Sequence, residues 1–170
     1  MKRTLSVMVE DKPGALARIS TMFARRGFNI DSLAVGPTER PGVSCITLRV
    51  DCEEHSLEQI EKQIHKLVNV LRVTDLAPGE AVERELLLLK VSATPDKRAE
   101  LIETATAFGG RVVDLGPDSV VFEVTGTPDE LDSFHELCRP HGIHELIRTV
   151  RIGMSRSSTK RASQRLSAIN

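Results

Sequence analysis

The chain contains no tryptophan and no tyrosine, and its five phenylalanines bring aromatics to only 3% of 170 residues. Its core must therefore be aliphatic, and a nucleic-acid surface built from stacked aromatic rings is not available. Cysteine is scarce and odd in number: Cys45, Cys52 and Cys138, without a close C-x-x-C pair. This argues against a disulfide framework and fits a reducing compartment, so a cytoplasmic location is expected. Long apolar runs are missing too. The leucine run at residues 86–89 is far too short to span a membrane. Strand-like alternation from the first residues is not the pattern of a signal peptide, and none is expected.

What is present is ordinary for a globular protein: 40% hydrophobic and 28% charged residues, with a net charge of −1. The charge is unevenly spread. Residues 151–170 carry Arg151, Arg156, Lys160, Arg161 and Arg165 and no acid, so residues 1–150 sum to −6. A mildly acidic body with a basic tail is not the footprint of a nucleic-acid-binding domain.

The chain reads as one pattern written twice. Residues 4–10 alternate Leu5, Val7 and Val9 with polar neighbours, the period of a half-buried strand. A helix is expected from Pro13 to Arg26, with Leu16, Ile19, Ser20 and Phe23 on its inner stripe and Gly27 as its left-handed stop. Strands follow at 28–35 and 43–50, the latter turning Cys45, Thr47 and Arg49 outward. A helix at 56–69 carries Leu57, Ile60, Ile64, Leu67 and Val68 on its apolar stripe, and a strand is read at 70–76.

After a break at 77–80 the order repeats. A leucine-rich strand at 83–93 is expected to be covered on both faces. A helix at 95–108 stops at Gly109-Gly110, and strands at 111–115 and 119–125 flank a Gly-Pro-Asp turn. Thr127-Pro128-Asp129-Glu130 is a capping box opening a helix that buries Leu131, Phe134, Leu137 and Cys138. A last strand runs 143–152. The fold class is therefore α+β: two tandem ferredoxin-like βαββαβ sandwiches. Domains are expected at 1–77 and 83–152, with a linker at 78–82 and a basic, mobile tail at 153–170. Each small sheet leaves an edge and a bare face, so a dimer or a stable partner is expected.

Chemistry is sparse. His135, Cys138, His141 and His144 have the right atom types for zinc, yet Cys138 shares a stripe with Leu131 and Phe134 and reads as a packed thiol. No nucleophile is tied to a base by any motif. The informative stretch is residues 9–16, VEDKPGAL, with Gly27-Phe28-Asn29-Ile30 one helix later. Pro13 suits the first turn of a helix. Gly14 leaves backbone N–H groups at the positive helix end open to a small anion. Asp11 could cap that helix or meet a cation. A carboxylate on the N–H groups and an ammonium facing Asp11 and Asn29 together describe a free amino acid. On an edge strand, Asn29 of one copy can approach the Gly14 turn of another.

The run TLSVMVEDKPGALARISTMFARRGFNIDSLAVGPTE resembles the small regulatory subunit of acetohydroxyacid (acetolactate) synthase, whose first half is an ACT domain. QIEKQIHKLVNVLRVTDL, VERELLLLKV, FEVTGTPDELDSF, HGIHELIRT and IGMSR are similar to later parts of the same family. The resemblance implies a chain without catalytic residues that activates a large catalytic subunit in branched-chain amino-acid biosynthesis. That partner is expected to hold thiamine diphosphate, Mg²⁺ and FAD. Valine, or another branched-chain amino acid, is the implied feedback inhibitor. Its site would use Asp11, Gly14, Ala15 and Leu16 of one protomer with Asn29 and Ile30 of its dimer mate. The domain at 83–152 is expected to activate the partner. Asp11 departs from the asparagine common in relatives, and Cys45 from their arginine. A free-standing ACT-domain sensor without a synthase partner is the alternative reading.

Overall fold

The computed structural model describes residues 1–157, the side chains of residues 54 and 55 excepted. The basic stretch at 158–170, expected to be mobile, lies outside the described residues.

In the first half, β1 (Lys2–Glu10) lies between β3 (Val43–Asp51) and β4 (Val70–Leu76), and β2 (Ile30–Pro37) forms the edge beside β3. Every pairing is antiparallel, with Val7 opposite Ile46 on one side and Val73 on the other. The period-two pattern is what sends Leu5, Val7 and Val9 to a single face, where all three are at most 2% exposed. α1 (Ala15–Arg25) and α2 (Glu54–Ile64) close that face through Ile19, Phe23, Leu57, Ile60 and Ile64. Each such apolar side chain contributes about 1.5–3 kcal/mol by leaving water.

The second half repeats the plan. β5 (Ala81–Ser92) is central, between β7 (Ser119–Gly126) and β8 (Ile143–Arg148), with β6 (Arg111–Leu115) at the edge. α3 (Pro95–Ala107) and α4 (Pro128–Cys138) cover one face. Phe134 is the hub of this core, with its ring 5.6 Å from Phe108 and 6.0 Å from Phe122 between centroids. The expected α+β architecture of two ferredoxin-like sandwiches is the one observed.

Several sequence expectations are corrected. α1 starts at Ala15 rather than Pro13, and its buried stripe is Ala15, Ile19, Met22 and Phe23. Leu16 and Ser20 fall outside it and are exposed. α2 ends at Ile64, so Val68 escapes the apolar stripe and is 88% exposed. Leu137 points outward from α4, 54% exposed, while Cys138 takes the inward place. β5 is covered on one face only: Leu87, Leu89 and Val91 are buried, whereas Leu86, Leu88 and Lys90 are half-buried. Thr47 alternates with Ile46 and Leu48 and so lies on the outer face with Cys45 and Arg49, yet it is only 6% exposed.

The last strand is two strands. β8 ends at Arg148, and after a break at 149–151 β9 (Ile152–Ser155) continues along β5 and pairs with its opening. Residues 153–155, expected to begin the tail, belong to that strand.

Candidate functional site

The turn between β1 and α1 is anchored on two sides. The Glu10 N–H donates to the Asn69 carbonyl, and the Asp11 N–H to the Gly42 carbonyl, each at 2.8 Å. The Asn69 amide and the Lys12 ammonium both donate to the Glu10 carboxylate, at 2.9 and 3.0 Å. Lys12 foremost, then Asn69, holds the Glu10 carboxyl below its ordinary range. The loop is thus positioned by residues that sequence reasoning did not single out, Asn69 and Gly42. Neither belongs to a motif, and only the pairing of β1 with β3 and β4 brings them near.

Gly14 has φ +84 and ψ −2, a left-handed conformation, and it is the N-cap of α1. A side chain there would meet nothing within 4 Å, so the glycine answers a backbone requirement rather than crowding. Pro13 therefore sits before the helix rather than at its first helical position, and Asp11 does not cap it, since no side chain does. The Ala15 N–H donates back to the Lys12 carbonyl at 3.1 Å. Leu16 and Ala17 have N–H groups without an acceptor among the described residues, at the positive end of the helix.

The six expected site residues divide into two kinds. Asp11, Gly14, Leu16 and Asn29 are exposed. Ala15 is 8% exposed and Ile30 is half-buried against the first core, so both can serve a ligand mainly through their backbone. Asn29 donates to the Asp31 carboxylate at 3.0 Å, and Asp31 in turn pairs with Lys2 at 2.9 Å. Lys2 is the main cause of the lowered Asp31 carboxyl. This leaves the Asn29 side-chain oxygen as an acceptor with no partner among the described residues. Asp31, two residues along the same edge, is a further residue that sequence reasoning missed.

One chain does not bring the two groups together. Gly14 and Asn29 flank opposite ends of α1, whose 11 residues span roughly 16 Å at 1.5 Å each. A site holding both needs a second copy.

Beside the turn lies an open groove of about 760 Å³ between α1 and the end of α2. Gly14 is its only contact with the expected site, and Arg18, Arg25, Arg26 and Lys66 line its rim. Elsewhere the chemistry is quiet. Among the described residues no group of three His, Cys, Asp or Glu side chains could hold a metal ion, the set His135, Cys138, His141 and His144 included. Cys138 is fully buried, and burial pushes its thiol up to about 11. Among the described residues no helix is long and apolar enough to cross a membrane.

Two family patterns match the chain in order. Residues 5–72 match the AHAS small subunit-like ACT domain, and residues 84–157 match the small subunit of acetolactate synthase. A probable acetolactate synthase small subunit of Archaeoglobus fulgidus is 45% identical over 160 residues, covering 94% of this chain and all of that protein. The acetolactate synthase small subunit of Mycolicibacterium smegmatis is 46% identical over 153 residues, 90% of each chain. The crystal structure of the acetolactate synthase small subunit from Thermotoga maritima superposes with a TM-score of 0.84 at 35% identity, covering 94% of this chain and 99% of that one. With matches to both halves and over nearly the full length, this chain belongs to the family of acetolactate synthase small subunits.

Proposed function

We propose that the chain raises the activity of a thiamine-diphosphate-dependent catalytic subunit and makes it sensitive to valine or another branched-chain amino acid. The observation that carries this reading is the Gly14 turn, with two open N–H groups at a helix start on an exposed surface. The effector carboxylate accepts from the Leu16 and Ala17 N–H groups, where the helix end favours an anion. Its ammonium faces Asp11 and the free oxygen of Asn29 from a second copy. The aliphatic side chain rests near Leu16, which is 39% exposed.

Binding between two copies favours one dimer arrangement, and the catalytic subunit responds to that difference. A coupling of about 1–3 kcal/mol changes activity several-fold to a hundred-fold. Thiamine diphosphate, Mg²⁺ and FAD belong to the catalytic subunit in this scheme, and the complex works in the cytoplasm. The second half is the part that activates.

Gly14→Asp places a carboxylate where the effector carboxylate sits. Calorimetric titration with valine is expected to show binding by the wild type and none by the variant, with activation of the reconstituted catalytic subunit retained. Equal affinities would refute the site.

A further inference from the structure

β9 is required by neither sandwich, yet it touches both. The IGMSR segment that forms it pairs Ile152–Ser155 with the first residues of β5, Arg84 back to Ala81. Its other neighbours are β1 and β4 of the first half. Gly153 lies directly on Leu76, the last residue of β4: a Cβ at 153 would stand 2.9 Å from Leu76 Cδ1 and 3.3 Å from Glu83 Cγ. Leu76 is only 4% exposed and has little room to yield.

Both ends of β9 are fastened. At its start, Arg151 donates to the Glu83 carboxylate at 3.0 Å and to Glu85 at 3.2 Å. Glu85, whose side chain is 10% exposed, also accepts from Arg148 at 2.6 Å. Arg148 in turn pairs with Asp132 on α4. At its far end the Arg156 N–H donates to the Glu80 carbonyl at 2.8 Å, and the Arg156 guanidinium to the Gly79 carbonyl at 3.1 Å. Residues 77–80 are the connection between the halves. A line of charge-assisted contacts therefore runs from α4 through β8, β5 and Arg151 to a strand seated on the end of β4.

We propose that β9 is the clasp through which the two halves act as one body, and that it carries the effector's influence from the first half to the second. Releasing it leaves each sandwich folded, because it contributes no residue to either core. The state of the first half then no longer reaches the part that meets the catalytic subunit. This inference rests on the regulatory reading above, and its test separates the two.

Arg151→Met removes both ion pairs at the start of the clasp, and Gly153→Val forces the strand off Leu76. Met154→Ser, at a side chain 69% exposed, serves as the control. With the reconstituted complex, both clasp variants are expected to retain activation to within about twofold while losing at least about half of the inhibition by saturating valine. Valine affinity of the isolated small subunit should stay within about twofold of the wild type. Inhibition unchanged in both variants, or lost together with valine affinity, overturns the clasp. Should the wild-type complex prove indifferent to valine, the regulatory reading falls and thermal unfolding decides the clasp. A single wild-type transition that splits in two in the variants supports it, and an unchanged profile overturns it.

Discussion

Glu10 and Asn69 hold each other twice: the Glu10 N–H donates to the Asn69 carbonyl at 2.8 Å, and the Asn69 amide donates back to the Glu10 carboxylate at 2.9 Å. This reciprocal pair ties the end of β1 to the start of β4 at the point where the chain leaves the sheet for the Gly14 turn. Asn69 is 6% exposed, so the pair is sheltered on one side while Glu10 still meets solvent.

Asn69→Ala removes one of the two bonds and leaves Glu10 to Lys12. Amide exchange at Asp11 and Ala15 is expected to quicken, and valine affinity to fall about tenfold as the turn loses its pre-set shape. Hydrogen exchange by mass spectrometry and calorimetry read these two effects, and no change in either would show the pair to be dispensable. The pH dependence has a definite sign. The Glu10 carboxyl is depressed in the folded chain, so its contribution is complete above its ordinary 4.5 and is lost as pH falls through the lowered value. In the variant that loss begins at higher pH.

Phe134→Ala empties the hub between Phe108 and Phe122 in the second core. The expected cost is about 3–5 kcal/mol, since the helix-and-sheet frame collapses only partly into the space. Urea unfolding followed by circular dichroism measures it. A midpoint close to the wild type would mean that neighbouring side chains close the hole.

The three thiols should differ in reactivity as they differ in surroundings. Cys45 is half-buried and Cys138 wholly buried; burial also raises the Cys52 thiol. Iodoacetamide at about pH 8 is expected to label Cys45 first in the native protein, and Cys138 only after unfolding. Peptide mapping reads the order. Because the Cys138 thiol is raised from 9.0 to about 11 in the fold, its contribution to stability is complete below 9.0 and lost as pH climbs through about 11.

Thr127→Ala breaks the box that opens α4, where the Thr127 hydroxyl accepts from the Glu130 N–H and the Glu130 carboxylate accepts from the Thr127 N–H at 2.7 Å. Loss of the cap is expected to cost about 1 kcal/mol, visible as a lower melting temperature. The Thr127 N–H is the main reason the Glu130 carboxyl is lowered. Its contribution is therefore complete above 4.5 and fades as pH falls through the lowered value, a fading that Glu130→Gln should abolish.

Local rules carried far in this chain. Alternation at Leu5, Val7 and Val9 gave a strand face, and Thr127-x-x-Glu130 gave a helix start, because each depends on contacts within a few residues. The left-handed conformation of Gly14 was not legible, because Pro13-Gly14 reads equally well as the first turn of the helix itself. Rotation of α1 about its axis was not legible, since two stripes sharing Ile19 and Phe23 compete and only the sheet beneath chooses between them. Val68 failed for a related reason: its periodicity continued after the helix had stopped.

The order of strands and helices, and with it the α+β class, was determined by the sequence alone, through periodicity and turn residues acting at short range. Only the tertiary structure decided which distant residues anchor the Gly14 turn, and that the last strand breaks at Arg148 to seat β9 between the halves. Asn69 meets Glu10, and Gly153 meets Leu76, because sheets pair segments far apart in the chain. No pattern along the chain encodes such meetings until the sheets have formed.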